Sequence, residues 1–495
     1  MSPKLTGQHQ ELQVLMEGYW GRLSPIHQST SNADTLLGNV FEPLIDLSPQ
    51  GGIVPGVAQH WEVSPDDRVY RFHLRTNVRF SNGEVLTAQL YRRCLLESVI
   101  SADRDSHNPN ALDVLYRIKG FSLKNAEAGI VEGLRVDSDG ALVFEFTSPF
   151  RTALAELTGT RYAAWILDAK SGSYLGTGPY RIVRHLENKE VDYEPNPFSW
   201  RKASYQRVTV TEAPNGLIDL CRKKGQVYLG RPSRSEEQEK ACSEAKIEFQ
   251  GGGISGHSLI AVNALPGKLF ADPKLRLAIQ YAVHVLIKKV LENVVDPRRL
   301  TVDSQFYPPL WPGRLSDEET EELIARGKPY VADLVAASRK QPIELLCSSP
   351  IFKALQTGLE VMGIHFTRPY RVDEVKTIIE AAYGKHDYDL NFHGSMVVGS
   401  DPDGLYHLVG KSGALTSPAI ARPEVHKAME AGRNVLRGQD LHPYYSEVSR
   451  RIFEEVPEIH VAFSRNGAFF DGATVVTVDR GMNSDRFQFD SFVFK

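Results

Sequence analysis

One stretch of this chain carries residue types that could bind a nucleotide. Residues 404–412 read Gly-Leu-Tyr-His-Leu-Val-Gly-Lys-Ser, which is close to a phosphate-binding loop. That motif needs four residues between its glycines, but five stand between Gly404 and Gly410. The bulky residues between these glycines would also keep a phosphate away from the backbone amides. The sequence therefore argues against a nucleotide site.

Histidines and serines of this chain could act as metal ligands or nucleophiles. The chain contains no His-Glu-x-x-His run and no Gly-x-Ser-x-Gly run. Its 15 histidines include no convincing pair at the spacing of metal ligands. For His393 and His407, a role at the surface or in support of other residues is favoured, and a bound transition metal is the weaker alternative. The sequence predicts a binding protein without a cofactor or metal, not an enzyme.

A loop near the amino terminus offers contacts for a solute. Residues 13–16 have the pattern of a short strand, and the loop after it reads Glu17-Gly18-Tyr19-Trp20-Gly21-Arg22. Two glycines flank two large aromatic residues, whose flat apolar faces suit sugar rings or aliphatic groups. Two interpretations stay open: the rings line a cleft, or they fill the core.

The elements that must position such loops follow from periodicity. Tyr70, Phe72 and Leu74 alternate with polar residues, which predicts a half-buried strand. A turn at 81–83 and an N-cap at Thr87 then predict a helix over 86–100. Asp272 is a good N-cap for a second helix, with Pro273 at its first position. Helical and strand patterns are also predicted at 142–146, 233–245, 342–347, 352–362, 364–366, 372–383, 387–392, 423–436, 443–454, 457–463 and 487–494.

Length and composition bound the class of protein. A chain of 495 residues exceeds one ordinary core, so two or more lobes are expected. A net charge of −4 gives no reason to expect nucleic acid, and no apolar run is long enough to span a bilayer. The first ten residues contain no signal core, so the chain is interpreted as cytosolic or as a mature sequence. Cys221 and Cys242 could pair in an oxidising compartment, although isolated thiols are favoured.

Three blocks of the chain resemble the bacterial family 5 extracellular solute-binding proteins, the binding subunits of peptide, nickel and related transporters. The first block runs from Trp-Glu-Val-Ser at 61–64 to Leu-Thr-Ala at 86–88. The second runs from Gly-Thr-Gly-Pro-Tyr at 176–180 to Asn-Pro-Phe-Ser-Trp at 196–200. The third joins an Asn263-bearing strand to the helix at 270–283. The resemblance extends from about residue 13 to residue 465.

The resemblance implies an α/β, two-lobed periplasmic-binding-protein-like fold with mixed sheets and a hinge. Lobe I would comprise residues 1–257, with 466–495 returning to it, and lobe II residues 260–463. The hinge is expected near 257–260 and 463–466, and the solute between the lobes. The implied partners are a small-molecule or peptide ligand and the permease subunits of an ABC transporter. The protein is expected to be a periplasmic or cell-surface monomer that does not bind nucleic acid.

The ligand-binding residues are expected at strand ends of both lobes, where α/β folds bind ligands. Glu17, Arg22 and His393 would make directional polar contacts, and Tyr19 and Trp20 apolar ones. The full set of expected ligand-binding residues is Glu17, Tyr19, Trp20, Arg22, Ser348, Ser349, Phe392, His393, Ser395, Met396, Asp401 and Asp403.

The chain departs from the family where peptide-binding members hold the peptide termini. The position of the ammonium-binding aspartate falls on Val398, and no cation replaces the expected arginine near Ser348. An ammonium buried without a partner costs several kcal/mol, so an ordinary free-amino dipeptide is not the expected ligand. A modified peptide, an opine, an oligosaccharide or another neutral polar molecule fits better. A shift of one or two residues in the alignment would instead give the aspartate role to Asp401 or Asp403.

A second function fits the same resemblance. The module also occurs as the ligand-sensing domain of sugar-phosphate-stress transcription regulators. This chain begins without a basic helix-turn-helix segment, so it would not bind DNA itself. The identity of the ligand and the choice between transport and sensing are not fixed by the sequence.

Overall fold

The structure is a computed structural model that describes most of the chain. The described residues are 11–27, 30–48, 52–104, 112–230, 240–242, 245–291, 300–347, 352–382, 384–396, 401–411, 413, 416–472, 475–478 and 487–494. Among them, no helix combines the length and apolar character needed to cross a membrane.

The described residues form strands and helices, with runs of consecutive strands in the first half of the chain. The strands are β1 Glu11–Met16, β2 Ile45–Leu47, β3 Ile53–Pro55, β4 Ala58–Val63, β5 Val69–Leu74, β6 Leu134–Val136, β7 Leu142–Glu145, β8 Ile166–Leu167, β9 Tyr174–Leu175, β10 Tyr180–Leu186, β11 Glu190–Pro195, β12 Arg207–Glu212, β13 Val227–Leu229, β14 Ile247–Val262, β15 Leu300–Val302, β16 Leu345–Cys347, β17 Leu390–Met396, β18 Glu458–Asp471, β19 Val475–Val478 and β20 Phe492–Phe494. The α-helices are α1 Ser31–Leu37, α2 Ala88–Arg104, α3 Asp113–Tyr116, α4 Leu123–Glu127, α5 Ala153–Glu156, α6 Gly216–Cys221, α7 Pro273–Leu291, α8 Asp317–Ala325, α9 Val331–Lys340, α10 Lys353–Val361, α11 Val375–Ala382, α12 Tyr406–Val409, α13 Pro423–Arg433 and α14 His442–Glu455. Short 3-10 segments span Thr160–Tyr162, Leu269–Ala271, Lys328–Tyr330, Pro402–Leu405 and Phe489–Ser491.

The chain divides into two compact units. Unit 1 comprises Met1–Gly253 and Asn466–Lys495, and unit 2 comprises Ile254–Arg465. In unit 1, β1 pairs in parallel with β12 and β13, while β10, β11 and β12 pair antiparallel. A second sheet of unit 1 has the order β4-β5-β7-β6 and is antiparallel throughout. The loops that follow β1 and β13 therefore leave the same edge of the first sheet.

The β4–β5 hairpin and α2 form the predicted strand, turn and helix. On β5, Tyr70 and Phe72 are fully buried, while Arg71 and His73 are partly exposed, as alternation requires. Gly83 has a φ of +91° in the turn. The Thr87 hydroxyl accepts a hydrogen bond from the Leu90 amide at 3.1 Å, so Thr87 caps α2 as predicted.

The carboxyl-terminal segment packs in unit 1. The Phe489 ring contacts the rings of Tyr180 and Tyr193, with centroids 5.4 and 4.9 Å away. The Asn39 side chain donates to the Phe487 carbonyl and accepts from the Phe489 amide. Buried aromatic contacts and paired backbone groups thus attach the segment to this unit.

Unit 2 is built around the longest helix of its described residues. The Asp272 carboxylate accepts a hydrogen bond from the Lys274 amide at 2.9 Å, and α7 begins at Pro273, as predicted. Its apolar stripe packs in the core of unit 2 and comprises Leu275, Ile279, Ala282 and Val283. In the sheet of this unit, β17 pairs in parallel with β16 and antiparallel with β14, and β15 pairs with β18.

Some predicted elements differ from those observed. The strand predicted at 364–366 is reduced to one bridge between Phe366 and Ile343, so this segment lacks a ladder of its own. The helix predicted at 372–383 begins later, at Val375. Most of the helix predicted at 233–245 lies outside the described residues, although 240–242 are helical.

Candidate ligand-binding residues

In unit 1, Glu17 follows β1 directly and is tied to the end of β13. Its amide donates to the Leu229 carbonyl at 2.9 Å. Its carboxylate accepts a hydrogen bond from the Tyr228 hydroxyl. Burial, with a contribution from the charge of Glu17, raises the pKa of Glu212. The Tyr228 hydroxyl thus fixes the position of the Glu17 carboxylate, and part of Glu17 stays exposed because the residue is only half-buried.

The two aromatic residues of the same loop have different environments. Trp20 is 0% exposed and belongs to the core of unit 1, whereas Tyr19 is half-buried and Arg22 is exposed. The Trp20 amide donates to the Asn188 side chain at 3.0 Å, which holds the loop against unit 1. The environment of Trp20 is that of the core alternative, and the indole offers no exposed surface to a solute. Tyr19 and Arg22 have exposed surface that could contact a solute.

Two glycines set the shape of this loop. Gly18 has a φ of +96° and Gly21 a φ of +62°, in the left-handed region that side chains disfavour. A Cβ at Gly21 would lie 3.0 Å from Cε1 of Tyr19. A side chain at this position would therefore push the Tyr19 ring out of place.

In unit 2, four of the predicted residues lie on β17, namely Phe392, His393, Ser395 and Met396. Phe392 is buried and stacks on Phe352, with ring centroids 3.5 Å apart. His393 points to the other face, as the next residue of a strand must. Its Nε2 lies 3.0 Å from Oε1 of Glu458, and both side chains are buried. Oε2 of Glu458 has no hydrogen-bond partner among the described residues.

Ser395 continues the polar face of β17. Its Oγ lies 2.8 Å from Nε2 of His407, whose Nδ1 lies 2.9 Å from the Gly404 carbonyl. Since a carbonyl only accepts, Nδ1 carries the hydrogen, and in the neutral ring Nε2 accepts from the serine hydroxyl. His407 therefore orients Ser395, as predicted for a supporting histidine.

A buried imidazole beside this face was not found from the sequence. His257 on β14 pairs with Ser395 on β17 and is 0% exposed. Neither ring nitrogen has a hydrogen-bond partner among the described residues. Burial lowers the pKa of His257 well below its usual value, and the charges of His460, His407 and His393 lower it further. Buried polar groups normally have a partner, so this ring is a candidate contact for a buried water molecule.

The two aspartates suggested as ammonium anchors have protein partners. Asp403 is fully buried, and its carboxylate lies 3.0 Å from Nε of Arg433 and 3.2 Å from the Tyr445 hydroxyl. The Asp401 carboxylate accepts from the Asp403 amide at 2.9 Å, which caps the 3-10 segment at Pro402–Leu405. Both carboxylates therefore stabilise the local fold.

Some expected residues cannot be placed. Ser348, Ser349 and Val398 lie outside the described residues, and for Met396 only the backbone is described, as part of β17.

Residues of the second sequence block form a structural cluster in unit 1. Glu42 is 4% exposed, and its carboxylate lies 2.8 Å from Nε of Arg201 and 2.9 Å from the indole nitrogen of Trp200. The Thr177 hydroxyl donates to the same carboxylate at 3.2 Å. Burial raises the pKa of Glu42, and the Arg201 charge opposes that rise. The cluster joins distant parts of unit 1, so this block has a role in folding.

The structure also brings together a group that spacing along the chain did not reveal. The ligand atoms of His60, Glu62 and His73 all lie within 4.8 Å of one another on the β4–β5 hairpin. His60 and His73 are 13 positions apart along the chain and face each other across the two strands, so their proximity follows from the register of the hairpin.

Comparison with known proteins places this chain in a family. The model for bacterial extracellular solute-binding proteins, family 5 Middle, matches residues 52–339, more than half of the chain. The periplasmic oligopeptide-binding protein OppA of Haemophilus influenzae is 28% identical over 206 residues, or 37% of this chain. The periplasmic murein peptide-binding protein MppA of Escherichia coli K12 is 23% identical over 321 residues, or 60% of this chain. These alignments span only 36% and 58% of the two relatives' lengths.

The solved structures of the same two proteins share the fold. The Escherichia coli murein tripeptide binding protein MppA superposes with a TM-score of 0.80 at 18% identity, covering 99% of both chains. Haemophilus influenzae OppA in complex with RPPGFSPFR gives a TM-score of 0.79 at 16% identity, covering 99% of this chain and 100% of the other. These likenesses confirm the predicted two-lobed α/β fold class. The regulatory alternative finds no support, because the matched family and relatives are named as binding proteins.

Proposed function

This chain belongs to family 5 of the bacterial extracellular solute-binding proteins, and we propose that it captures a peptide-like or other polar small molecule for uptake by an ABC transporter. Its relatives OppA and MppA are named as periplasmic binding proteins for peptides. The proposal includes a periplasmic or cell-surface location, a monomeric state and permease subunits as partners. The hinge is proposed at residues 257–260 and 463–466, on the strands β14 and β18.

One observation carries the proposal: β17 presents two oriented polar side chains on one face, and one of them, Ser395, is partly exposed. His393 and Ser395 stand two residues apart, so their side chains share one face of the strand. Oε2 of Glu458 and the ring nitrogens of His257 have no hydrogen-bond partner among the described residues. Both of these groups are buried, so the hydrogen bond to a polar solute is proposed at the partly exposed Ser395.

The proposed ligand is not an ordinary free-amino dipeptide. The Asp403 carboxylate is occupied by Arg433 and Tyr445, and Asp401 caps a 3-10 segment. Recruiting Asp403 to an ammonium group would leave the buried Arg433 without its partner, at a cost of about 3–5 kcal/mol. If the alignment were shifted so that Asp403 took the place of the ammonium-binding aspartate, the folded protein would therefore lose stability.

Within unit 1, the proposed solute contacts are Glu17, Tyr19 and Arg22. The Glu17 carboxylate is held by Tyr228 and can accept a hydrogen bond from a solute. Tyr19 supplies an apolar face, and the exposed Arg22 can bind a carboxylate or phosphate group. Trp20 is left out of this set because it is buried in the core.

The test is a thermal-shift screen followed by calorimetry. The panel contains di- and tripeptides, amino-terminally blocked peptides, opines and oligosaccharides. We expect a ligand from the last three classes to raise the melting temperature, because a ligand that binds only the folded state stabilises it by mass action. Micromolar binding of dipeptides that depends on a free amino terminus would overturn the proposed ligand class.

Variants then locate the site. Ser395→Ala should weaken binding of the ligand found in the screen by about tenfold, the loss of one hydrogen bond to a solute. The matched control is Ser148→Ala. This variant also removes a half-buried hydroxyl, but Ser148 lies in unit 1, whereas Ser395 lies in unit 2. Equal affinity in the wild type and the Ser395 variant would remove β17 from the proposed site.

A further inference from the structure

We propose that His60, Glu62 and His73 form a binding site for one divalent transition-metal ion of the Zn2+, Ni2+ or Cu2+ class, on the β4–β5 hairpin of unit 1. None of these residues belongs to the proposed solute site. Their side chains share one face of an antiparallel strand pair. The proposal is independent of the solute and of transport.

The register of the hairpin creates the site. Ala58 on β4 pairs with Leu74 on β5, and a regular antiparallel ladder would then place His60 opposite Phe72. The observed partner of His60 is His73, because the register shifts by one residue between Ala58 and His60. This β-bulge turns His60 to the side of the sheet where His73 lies. Glu62, two residues further along β4, points to the same side.

The distances are close to those of a metal site. The two imidazole rings are stacked, with centroids 4.2 Å apart and an interplanar angle of 10°. Nε2 of His73 lies 3.5 Å from Oε1 of Glu62, and the ligand atoms of all three residues lie within 4.8 Å of one another. Ligand atoms bound at about 2.0–2.1 Å in a tetrahedral site stand roughly 3.4 Å apart. Imidazole nitrogens coordinate through lone pairs in the ring plane, so metal binding requires the two rings to rotate out of the stacked arrangement until both lone pairs point at the ion.

One nitrogen of the His73 ring, Nε2, is buried without a hydrogen-bond partner among the described residues. A covered polar nitrogen without a partner is unfavourable, and a metal ion would satisfy it. His60 and Glu62 are exposed, so an ion can reach the site and keep water at its open position.

The surrounding charges permit a cation. Arg71 is a positive group beside the site, with its Nε 3.5 Å from Oε2 of Glu62. Its guanidinium also forms ion pairs with Asp137 and Asp139. Because these two carboxylates offset the Arg71 charge, Glu62 retains capacity for a metal ion.

The donor set selects the class of ion. Two imidazoles and one carboxylate suit Zn2+, Ni2+ and Cu2+, whereas Ca2+ and Mg2+ prefer oxygen ligands throughout. An ion that joins opposite strands would also stabilise the hairpin, because it binds the folded arrangement alone. The site is therefore expected to bind Zn2+ in the presence of excess Mg2+.

The experiment is calorimetric titration of ZnCl2 into untagged protein that has been dialysed against EDTA and then into a non-chelating buffer. We expect one saturable site with micromolar affinity, and a rise in melting temperature that EDTA reverses. His60→Ala and Glu62→Gln should each weaken binding by at least about tenfold. Both residues are exposed, so these variants should keep the circular dichroism spectrum of the wild type.

The matched control is His365→Ala, which removes an exposed histidine from unit 2. This variant should bind Zn2+ with the affinity of the wild type. In a separate measurement, Cu2+ bound to the wild type should show coupling to imidazole nitrogen in its electron paramagnetic resonance spectrum. The absence of saturable Zn2+ binding in the wild type would overturn the proposal. Binding that is unchanged in His60→Ala, or weakened equally in His365→Ala, would overturn it as well.

Discussion

Nε of Arg433 lies 3.0 Å from Oδ2 of Asp403, and both side chains are buried in unit 2. The guanidinium also lies over the Tyr406 ring, 3.4 Å from its centroid. A buried charge that loses its partner is costly, so Asp403→Ala should lower the free energy of unfolding by about 3–5 kcal/mol. Urea denaturation measures this change.

The control for that variant is an ion pair at the surface. Arg181 and Glu194 lie 3.1 Å apart on β10 and β11, and each side chain is 44% exposed. Glu194→Ala should cost less than about 1 kcal/mol, because water screens such a pair. If Asp403→Ala were equally mild and instead abolished ligand binding, Asp403 would be a ligand anchor and not a structural residue.

The loop after β1 gives a second prediction. Trp20→Ala removes a fully buried indole and should lower the free energy of unfolding by about 3–5 kcal/mol. Tyr19→Ala removes a half-buried ring and should cost less than about 1 kcal/mol while weakening solute binding. Chemical denaturation without ligand distinguishes the two, and a mild Trp20→Ala would contradict its placement in the core.

Local pattern made much of the fold predictable. The alternation at Tyr70 and Phe72 and the caps at Thr87 and Asp272 reflect short-range physics, whereas the three sequence blocks were identified by their resemblance to a family. The alternation and the caps are reproduced by β5, α2 and α7, whose bounds differ from the predictions by a few residues. The segment at 364–366 has a strand pattern but pairs through one bridge, because strand formation depends on a partner that the local sequence does not specify.

The candidate sites were less predictable because their residues come from distant parts of the chain. His257 and Ser395 meet through the pairing of β14 with β17. His60 faces His73 only because of a bulge between Ala58 and His60, and no periodicity along one strand reveals that register. Histidines on neighbouring predicted strands, compared across the turn, are the one signal that could have suggested the pair.

The cysteine pair left open by the sequence gives a third prediction. The Sγ atoms of Cys221 and Cys242 lie 3.3 Å apart, and a disulfide needs about 2.05 Å. We expect a disulfide to form in an oxidising compartment, closing a loop that would add about 3 kcal/mol to the free energy of unfolding. Burial raises the pKa of the Cys221 thiol to about 12, so its reactive thiolate is scarce and oxidation should need a thiol–disulfide catalyst or redox buffer.

Alkylation and peptide mass spectrometry check this prediction. After incubation in a glutathione redox buffer, iodoacetamide should modify unfolded protein at Cys94 and Cys347 but not at Cys221 and Cys242. Reduction should restore modification at both positions. Cys242→Ser should leave Cys221 modifiable under all conditions. Full modification of wild-type Cys221 after oxidation would contradict the pairing.

The buried histidines of unit 2 predict how stability depends on pH. Burial lowers the pKa of His284 to about 4 and that of His460 to about 3, against about 6.5 in an unfolded chain. The folded state therefore keeps both rings neutral at a pH where the unfolded state protonates them. Their contribution to stability is complete above pH 6.5 and is lost as the pH falls through 6.5 towards 4 and 3. Each ring should remove about 1.4 kcal/mol per pH unit within its window.

His284→Gln isolates one of these contributions. The His284 Nε2 donates to the His460 carbonyl at 3.0 Å, and a glutamine amide can replace that donor without titrating. The slope of the unfolding free energy against pH should fall by about 1.4 kcal/mol per pH unit between pH 6.5 and 4. His365→Gln, at an exposed position of the same unit, should leave the slope unchanged. Carboxylates also titrate in this range, but they are the same in all three proteins, so the difference between slopes reports the histidine. Equal slopes for the wild type and His284→Gln would show that the ring is not held neutral by burial.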